Sequence, residues 1–487
     1  MEMLALPNLR YVPSLILNRS VFLAKGLSDI NTTFLSTEGS TKGQSRDAAS
    51  QRILRTAANI ASPEANSIVQ EHAPGPYSSD NVRRFASEVL QGASMNPKLG
   101  SLLGLQNMTK EILGSVSETT QKERERLIPI NELKDARIPH LSSSFASELH
   151  PCYEAVRKEC EQWIVDIAGP SNARAQKFLL DCELPRLVCL CLPIVPEHAL
   201  PRLVQTAKMI SWLLIADDED DDPSKMGSDY MATSDRAQSV MTIIYGNESI
   251  IDACHDIKDA ENSPDLKAKR RFLDAFRQLW AEIQPSMSQI LRARLVSSMA
   301  AYLDSLKVQA AFRRANHIPD VHFYMDIRRQ ASFMYPYFVL AEYAIGVELE
   351  GYIYRVELEG YIYRDPLLVN LQNLTIDFAN LCNDVVSCRE EANQCDYFNL
   401  PSILYIKQQN SCRPLTFQDA LDNTTCIIRN FDNRISLLQG PLENAYNSQS
   451  GIHAYIKVLR HTMSGCLTWF LESARYNTAL SQYGTLS

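Results

Sequence analysis

Residues 368–393 read LVNLQNLTIDFANLCNDVVSCREEAN and carry the pattern that decides the fold class. Apolar residues recur there at intervals of three and four, which is the spacing of one face of an α-helix. The same spacing recurs in residues 152–167, 200–216, 266–280, 287–312, 324–345, 416–438 and 455–477. No stretch alternates convincingly as a β-strand does. We therefore predict an all-α protein in which residues 136–487 form one domain of about ten helices.

Residues 1–135 have a different composition from this domain. Segments such as Ser36–Gln51 are polar and rich in Ser, Thr, Gly and Gln, which is typical of loops and disorder. Amphipathic pieces interrupt them at Asn81–Leu90 and Thr109–Leu113. We expect an N-terminal extension that is polar and only partly ordered.

Composition and charge exclude several classes of protein. The 487 residues include 48 Lys and Arg against 57 Asp and Glu, a formal net charge of −9, so nucleic acid is not an expected partner. No apolar run approaches the length of about 18 residues that a membrane span needs, and the N-terminus lacks the unbroken apolar core of a secretory signal. The 12 cysteines show no zinc-binding spacing. We expect a cytoplasmic protein without a membrane span.

An acidic run occupies residues 217–222, DDEDDD, between the predicted helix 200–216 and Pro223. Carboxylates at this end of a helix face the negative end of its dipole, and like charges at i, i+4 repel by about 0.2–0.5 kcal/mol per pair. Because this placement is unfavourable by itself, the run suggests a site for cations, and its oxygen ligands favour Mg²⁺, Mn²⁺ or Ca²⁺ over zinc. A solvated acidic loop is the alternative.

A second polar feature interrupts the apolar helix quoted above. Asn383, Ser387 and Glu391 are spaced i, i+4, i+8 and so lie along one helical face; we call these three residues the polar stripe. An amide oxygen, a hydroxyl and a carboxylate can together hold one hard cation. Polar stripes usually face solvent, but the apolar residues 368–381 upstream favour a position inside the bundle.

A third signal lies near the C-terminus, where Trp469 precedes Arg475 and Tyr476. An arginine in an apolar helix can bind a phosphate through two parallel hydrogen bonds. A surface arginine beside a core tyrosine is the alternative.

Taken in order along predicted helices, these signals resemble the class I terpene synthases, in particular the single-domain microbial and fungal sesquiterpene cyclases. The resemblance runs from Ile138 to the end and implies a single class I terpene synthase α-helical bundle. The matching residues are Asp217, Asp218 and Asp221 in the DDxxD motif, Trp212 ahead of it, residues 383–391 in the NDxxSxxxE motif, and the pair Arg475 and Tyr476.

The sequence departs from this family at two places. Residues 330–333, QASF, lack the small residues expected just after the family's diphosphate-sensing arginine, and Glu390 stands where a basic residue is usual. Residues 218–221, DEDD, also fit the DxDD motif of class II cyclases. The full NDxxSxxxE match favours class I.

Arg328 and Arg329 are the two candidates for the diphosphate-sensing arginine, and the number of residues between them and the polar stripe favours Arg328. Arg328 lies 55 residues before Asn383, a separation that becomes the family's usual 46 when nine residues are removed. A repeat of nine residues lies between Arg328 and Asn383 and accounts for the difference: Val347–Arg355 reads VELEGYIYR, and Val356–Arg364 repeats it without a change.

The repeat also constrains where it can lie. Nine residues turn a helix by about 2.5 turns, so an extra copy inside a helix would move everything downstream to the opposite face. We therefore predict that the repeat lies in a connection between helices. We prefer to interpret it as a recent duplication or a gene-model error.

The resemblance implies an activity. The family ionises a prenyl diphosphate, most often farnesyl diphosphate, and cyclises the resulting carbocation to a sesquiterpene with release of diphosphate. It implies three Mg²⁺ ions, with Mn²⁺ as a substitute, and a monomer or homodimer.

The site residues implied by the resemblance fall into three groups. The metal ligands are Asp217, Asp218, Asp221, Asn383, Ser387 and Glu391; the diphosphate-binding residues are Arg328, Arg475 and Tyr476; and the aromatic candidates for the substrate pocket are Trp212, Phe333, Trp469, Tyr335 and Tyr337.

Other functions stay open at this point. A prenyl diphosphate synthase resembles this family but carries a second aspartate-rich motif where this chain has residues 383–391. A monoterpene or diterpene cyclase would differ only in substrate length. A helical scaffold whose acidic loop binds divalent cations is the non-enzymatic alternative.

Overall fold

A computed structural model describes residues 126–169, 173–220, 226–246, 264–349, 366–446 and 450–476. Every regular element in these residues is helical, which confirms the all-α prediction. The expectations for residues 1–125, for Asp221 and for most of the tandem repeat lie outside the described residues.

Fourteen α-helices follow one another in the described part of the chain. They are α1 Ile130–Asp135, α2 Tyr153–Ala168, α3 Ala173–Asp181, α4 Leu184–Cys191, α5 Leu200–Asp220, α6 Tyr230–Ile244, α7 Pro264–Ile283, α8 Gln289–Arg314, α9 Val321–Ala331, α10 Met334–Ile345, α11 Pro366–Asn393, α12 Leu400–Gln408, α13 Phe417–Ala445 and α14 Ser450–Glu472.

Three of the differences between the predicted and the observed helix boundaries bear on the candidate site. The helix predicted over residues 324–345 is divided into α9 and α10, because Phe333 adopts a positive φ of 61° that no α-helix accommodates. Helix α5 continues beyond Ala216 to Asp220, so the acidic run begins inside the helix. Helix α14 ends at Glu472, so Arg475 and Tyr476 follow it rather than lying within it.

The packing of α4 and α14 brings distant parts of the chain together. Gly465 on α14 lies so close to α4 that a Cβ added there would stand 2.7 Å from the carbonyl carbon of Leu190, so only glycine permits this approach. Helix α4 also packs on α5, and α14 packs on α11. The end of α5 and the middle of α11 are thereby linked through α4 and α14.

Helix α11 is the central element of the bundle, since it packs against α9, α12, α13 and α14. Its apolar residues, such as Leu374, Phe378 and Leu381, are buried. Burial of such a long apolar face is the main source of helix stability in a protein.

Helix α1 packs on α11 and α13, and Ile128 and Leu133 are buried in the same core. The residues from 126 onward therefore contact the bundle. A domain boundary near residue 135 stays a prediction.

The tandem repeat begins directly after Gly346, which follows α10, and α11 begins at Pro366, two residues after the second copy ends. Most of the repeat lies outside the described residues, so its position in a connection between helices stays a prediction. The start of the first copy is anchored, because the Leu349 N–H donates to Glu342, which in turn binds Arg294 through two hydrogen bonds of 2.7 Å.

Candidate active site

The acidic run meets the C-terminal Arg-Tyr pair at the last turn of α5. Arg475 Nη2 donates to Asp217 Oδ2 at 3.0 Å, and Arg475 Nη1 donates to the Leu214 carbonyl at the same distance. The Arg475 side chain is 14% exposed and that of Asp217 is 31% exposed. The positively charged guanidinium of Arg475 thus lies against the negative end of the α5 dipole, where a positive charge is favourable.

The polar stripe on α11 is partly open to its surroundings. Asn383, Ser387 and Glu391 are partly exposed, whereas the residues between them at 384–386 and 388–389 are buried. The stripe thus lies among buried residues of α11, and a cation can reach its oxygen atoms.

The Asn383 side chain is held at both ends of its amide. Its Oδ1 accepts a hydrogen bond of 2.6 Å from Arg328 Nη2, and its Nδ2 donates to the Tyr476 hydroxyl at 2.8 Å. Three residues from separate parts of the sequence are thereby brought into contact. All three are among the site residues that the sequence predicted.

The other two members of the stripe also have ordered side chains. Ser387 Oγ donates to the Asn383 carbonyl at 2.9 Å, and Glu391 Oε2 accepts from Asn399 Nδ2 at 2.6 Å. Because the Ser387 hydroxyl uses its proton on the helix backbone, its oxygen is left as an acceptor for a cation.

Asp384, the second residue of the NDxxSxxxE motif, is a buried hydrogen-bonding centre that sequence reasoning did not single out. It is 1% exposed. Its Oδ1 accepts from Arg328 Nε at 3.3 Å, and its Oδ2 accepts from the Tyr324 hydroxyl and from the Leu400 N–H. Asp384 therefore fixes the guanidinium of Arg328 against the polar stripe.

Burial raises the pKa of Asp384, while Arg328, Tyr324 and the Leu400 N–H act in the opposite direction. Burial, together with the nearby charge of Asp384, also raises the pKa of Tyr324 well above its ordinary value. Tyr324 stands one helical turn before Arg328, and this spacing is the sequence signal that could have identified it.

Arg328 and Arg329 have different surroundings. Arg329 is buried and donates to both oxygens of Asp377, at 2.6 and 2.8 Å. Burial alone would lower the pKa of Arg329, but Asp377 raises it above its ordinary value. Arg329 therefore ties α9 to α11, and it is Arg328 that faces the polar stripe.

The two tryptophans predicted for the substrate pocket are both fully packed. Trp212 stacks on Phe272 of α7 with ring centroids 4.4 Å apart and donates to the Phe272 carbonyl. Trp469 donates to the Cys182 carbonyl, and its ring meets that of Tyr476 edge to face at 5.7 Å. Trp469 thus supports Tyr476 from behind, and a pocket role for either tryptophan stays a prediction.

The remaining aromatic candidates lie on or beside α10. Phe333 packs edge to face on Tyr302 at 5.1 Å. Tyr335 donates to Asn373 Oδ1 at 3.0 Å, whereas the Tyr337 hydroxyl lies 3.1 Å from Thr462 Oγ1 in the core. Of these three aromatic residues, Phe333 lies at the break after α9, the helix that carries Arg328.

The donor set fits a hard divalent cation. Within the described residues, no three His, Cys, Asp or Glu side chains come together as a metal cluster. The polar stripe instead offers amide, hydroxyl and carboxylate oxygens, which suit Mg²⁺ better than zinc. Asp218 lies beside Asp217 on α5.

Comparison with known proteins assigns the family. The sequence model described as "Terpene synthase family 2, C-terminal metal binding" matches residues 208–431, which contain both the acidic run and the polar stripe. Residues 208–431 are thus the metal-binding domain of a terpene synthase. Among characterised relatives of this terpene synthase, alpha-muurolene synthase of Coprinopsis cinerea is 23% identical over 68% of this chain and 71% of its own length.

A second relative is "Microbial Terpene synthase-like protein 13" of Selaginella moellendorffii, 22% identical over 68% of the terpene synthase and 84% of the relative. Among solved structures, germacradien-4-ol synthase from Streptomyces citricolor aligns with a TM-score of 0.52 and 18% identity, over 69% of this chain and 98% of that one. Hedycaryol synthase in complex with nerolidol aligns with a TM-score of 0.52 and 16% identity, over 68% and 99%. These structural likenesses establish the fold.

None of the described helices is both long and apolar enough to cross a membrane.

Proposed function

We propose that this terpene synthase ionises farnesyl diphosphate in the presence of Mg²⁺, cyclises the carbocation to a sesquiterpene and releases diphosphate. The observation that supports this most strongly is the pair Arg475-Tyr476. These consecutive residues contact Asp217 of the acidic run and Asn383 of the polar stripe, respectively. Residues that we assign as cation ligands and as diphosphate-binding donors are thereby in contact, which supports a single site.

The residues that would hold three Mg²⁺ ions come from the acidic run and from the polar stripe. Asp217, Asp218 and Asp221 would serve from the acidic run, and Asn383, Ser387 and Glu391 from the polar stripe. When bound, the ions neutralise the diphosphate and favour its departure.

Arg328, Arg475 and Tyr476 would bind the diphosphate oxygens. Both arginines already point charged donors at oxygen acceptors, Asn383 Oδ1 and Asp217 Oδ2. A diphosphate oxygen carries negative charge and the Asn383 amide oxygen is neutral, so the Arg328 guanidinium binds the diphosphate more strongly, as an ion pair. Arg328 would therefore exchange Asn383 for substrate and release the amide oxygen as a ligand for the cation.

The carbocation must then be kept from water. A dry cavity achieves this, and an aromatic face stabilises a cation by about 0.5–2 kcal/mol. Phe333 is the aromatic residue that we assign to this role, because it lies at the break between α9, which carries Arg328, and α10.

The relatives support farnesyl diphosphate over shorter and longer substrates. Alpha-muurolene synthase of Coprinopsis cinerea and sesquiterpene synthase 3 of Postia placenta are named for C15 chemistry. We further propose a cytoplasmic protein that acts as a monomer or homodimer.

The test is incubation of purified protein with the C10, C15 and C20 prenyl diphosphates and Mg²⁺, with products identified by mass spectrometry. We expect a volatile C15 product from farnesyl diphosphate and none when the metal is chelated. Turnover of only the C10 or C20 substrate would overturn the chain length. In a parallel incubation that also contains isopentenyl diphosphate, a longer prenyl diphosphate as product would indicate a prenyl diphosphate synthase.

A further inference from the structure

Asn399 is a fully buried residue between α11 and α12 whose side chain has two separate partners. Its Oδ1 accepts a hydrogen bond of 2.9 Å from the Ser402 N–H and so caps the start of α12. Its Nδ2 donates to Glu391 Oε2 at 2.6 Å. One amide thus joins the beginning of a helix to the last residue of the polar stripe.

The next residue makes a second link of the same kind. The Leu400 N–H donates to Asp384 Oδ2 at 3.0 Å. Asp384 and Glu391 are seven residues apart on α11, which places them on one face two turns from each other. The start of α12 therefore contacts α11 at two places, at Asp384 and at Glu391, the last residue of the polar stripe.

The connection that carries Asn399 is itself well anchored. The Asp396 N–H donates to the Glu391 carbonyl at 2.8 Å, and the Phe398 N–H donates to Asp396 Oδ1 at 3.1 Å. Asp396 also pairs with Arg313 of α8 at 3.0 Å. Asn399 thus meets Glu391 from a fixed direction.

A glutamate has three rotatable side-chain bonds, and binding a metal orders all of them. Hydrogen bonds from outside the metal's own ligands orient such a side chain in advance, and losing one typically weakens metal binding by about 10–100-fold. The Asn399 amide donates to one carboxylate oxygen of Glu391 and thereby limits the rotation of the side chain.

We propose that Asn399 is a positioning residue for the cation site, which orients Glu391 through its amide N–H without touching metal or substrate. This inference rests on the proposed function, in which Glu391 is a Mg²⁺ ligand.

The experiment separates the two hydrogen bonds of Asn399. Asn399→Ser keeps a good N-cap for α12 but removes the amide donor to Glu391. Asn399→Thr does the same with a larger side chain and serves if the serine variant fails to fold. Ser288→Ala is the matched control, because it removes the N-cap of α8, where Ser288 accepts from the Leu291 N–H.

The probe is Mn²⁺ with inorganic diphosphate, and its binding is followed by electron paramagnetic resonance without any turnover. We expect Asn399→Ser to weaken Mn²⁺ binding about 10-fold or more while the metal-free melting temperature stays near that of the wild type. Ser288→Ala should lower the melting temperature and leave Mn²⁺ binding unchanged. In a Glu391→Gln background, Asn399→Ser should have no further effect on Mn²⁺ binding.

If Asn399→Ser binds Mn²⁺ as tightly as the wild type does, the positioning role of Asn399 is overturned and the proposed function is not affected. The same result with Asn399→Thr counts if the serine variant fails to fold. An equal further loss in the Glu391→Gln background overturns it as well, because the effect would then not pass through Glu391. If the wild-type protein itself shows no saturable Mn²⁺ binding with diphosphate, the metal site of the proposed function fails.

Discussion

The polar stripe and the acidic run, the two regions that we propose to bind metal, are supported in different ways. Asn383 of the stripe accepts a hydrogen bond from Arg328 of α9 and donates one to Tyr476, and Glu391 accepts one from Asn399 at the start of α12. Asp217 of the acidic run, whose side chain is 31% exposed, accepts a hydrogen bond from Arg475, which follows α14. Glu391 is thus held by a neutral amide, whereas Asn383 and Asp217 pair with arginines that the substrate would also attract.

This difference predicts how the two regions respond to change. Ligands that are already ordered lose less conformational freedom when a cation binds. Substitution of Asp384, the buried partner of Arg328 beside the stripe, should therefore lower both stability and metal binding, whereas substitutions at Asp217 should affect chemistry with little cost in stability.

The largest effect is expected for Asn383→Ala. The change removes a cation ligand and the partner of both Arg328 and Tyr476, and loss of one such preorganised group lowers turnover by about 10²–10³-fold. Asn370→Ala on the same helix is the control, since it lies 13 residues and about 20 Å away. Steady-state rates with farnesyl diphosphate measure the effect, and equal rates for the two variants would contradict the ligand assignment.

The matched pair Asp384→Asn and Asp217→Asn tests the comparison itself. Asp384→Asn breaks a buried ion pair with Arg328, which typically costs about 3–5 kcal/mol of unfolding free energy. Asp217→Asn loses a partly exposed pair, for which about 0–1 kcal/mol is usual. Urea denaturation gives both values, and a larger loss for Asp217→Asn would reverse the comparison.

Tyr476→Phe should have a smaller effect. It removes the hydroxyl that binds Asn383 Nδ2 and keeps the ring packed on Trp469. A single neutral hydrogen bond contributes about 0.5–1.5 kcal/mol, so we expect up to about a 10-fold loss in kcat/KM. An unchanged kcat/KM would show that the hydroxyl has no part in the reaction.

The smallest effect is expected when one copy of the repeat is deleted, and removal of either copy produces the same sequence. Loop length changes stability slowly, by about 0.6 kcal/mol per doubling, so the unfolding free energy should change by less than about 1 kcal/mol. Turnover should be retained because the contact between Arg328 and Asn383 is made by α9 and α11. Loss of folding on deletion would show that the second copy is a structural part of the chain.

Helical spacing was enough to predict α11 and the bundle, because a long buried face imposes its period on the sequence. It did not predict the break at Phe333, although Pro336, inside the helix predicted over residues 324–345, is a signal for such a break. The motif residues Asn383, Arg328 and Tyr476 were predicted from the resemblance, and the structure places them in contact.

The residues that sequence reasoning missed act through the tertiary structure. Asn399 reaches Glu391 only because the turn after α11 folds back. Asp384 faces Tyr324 only because α9 packs on α11. Trp212 precedes the acidic run in the sequence, yet its ring packs on Phe272 of α7.

The central claim is that the acidic run and the polar stripe enclose one diphosphate site bridged by Arg475-Tyr476, and a crystal structure with Mg²⁺ and inorganic diphosphate tests it most directly. We predict Mg²⁺ at about 2.0–2.1 Å from oxygens of Asn383, Ser387 and Glu391, with Arg328 and Arg475 bound to the diphosphate. Diphosphate bound elsewhere, or Mg²⁺ ions that make no bond to the polar stripe, would contradict the account.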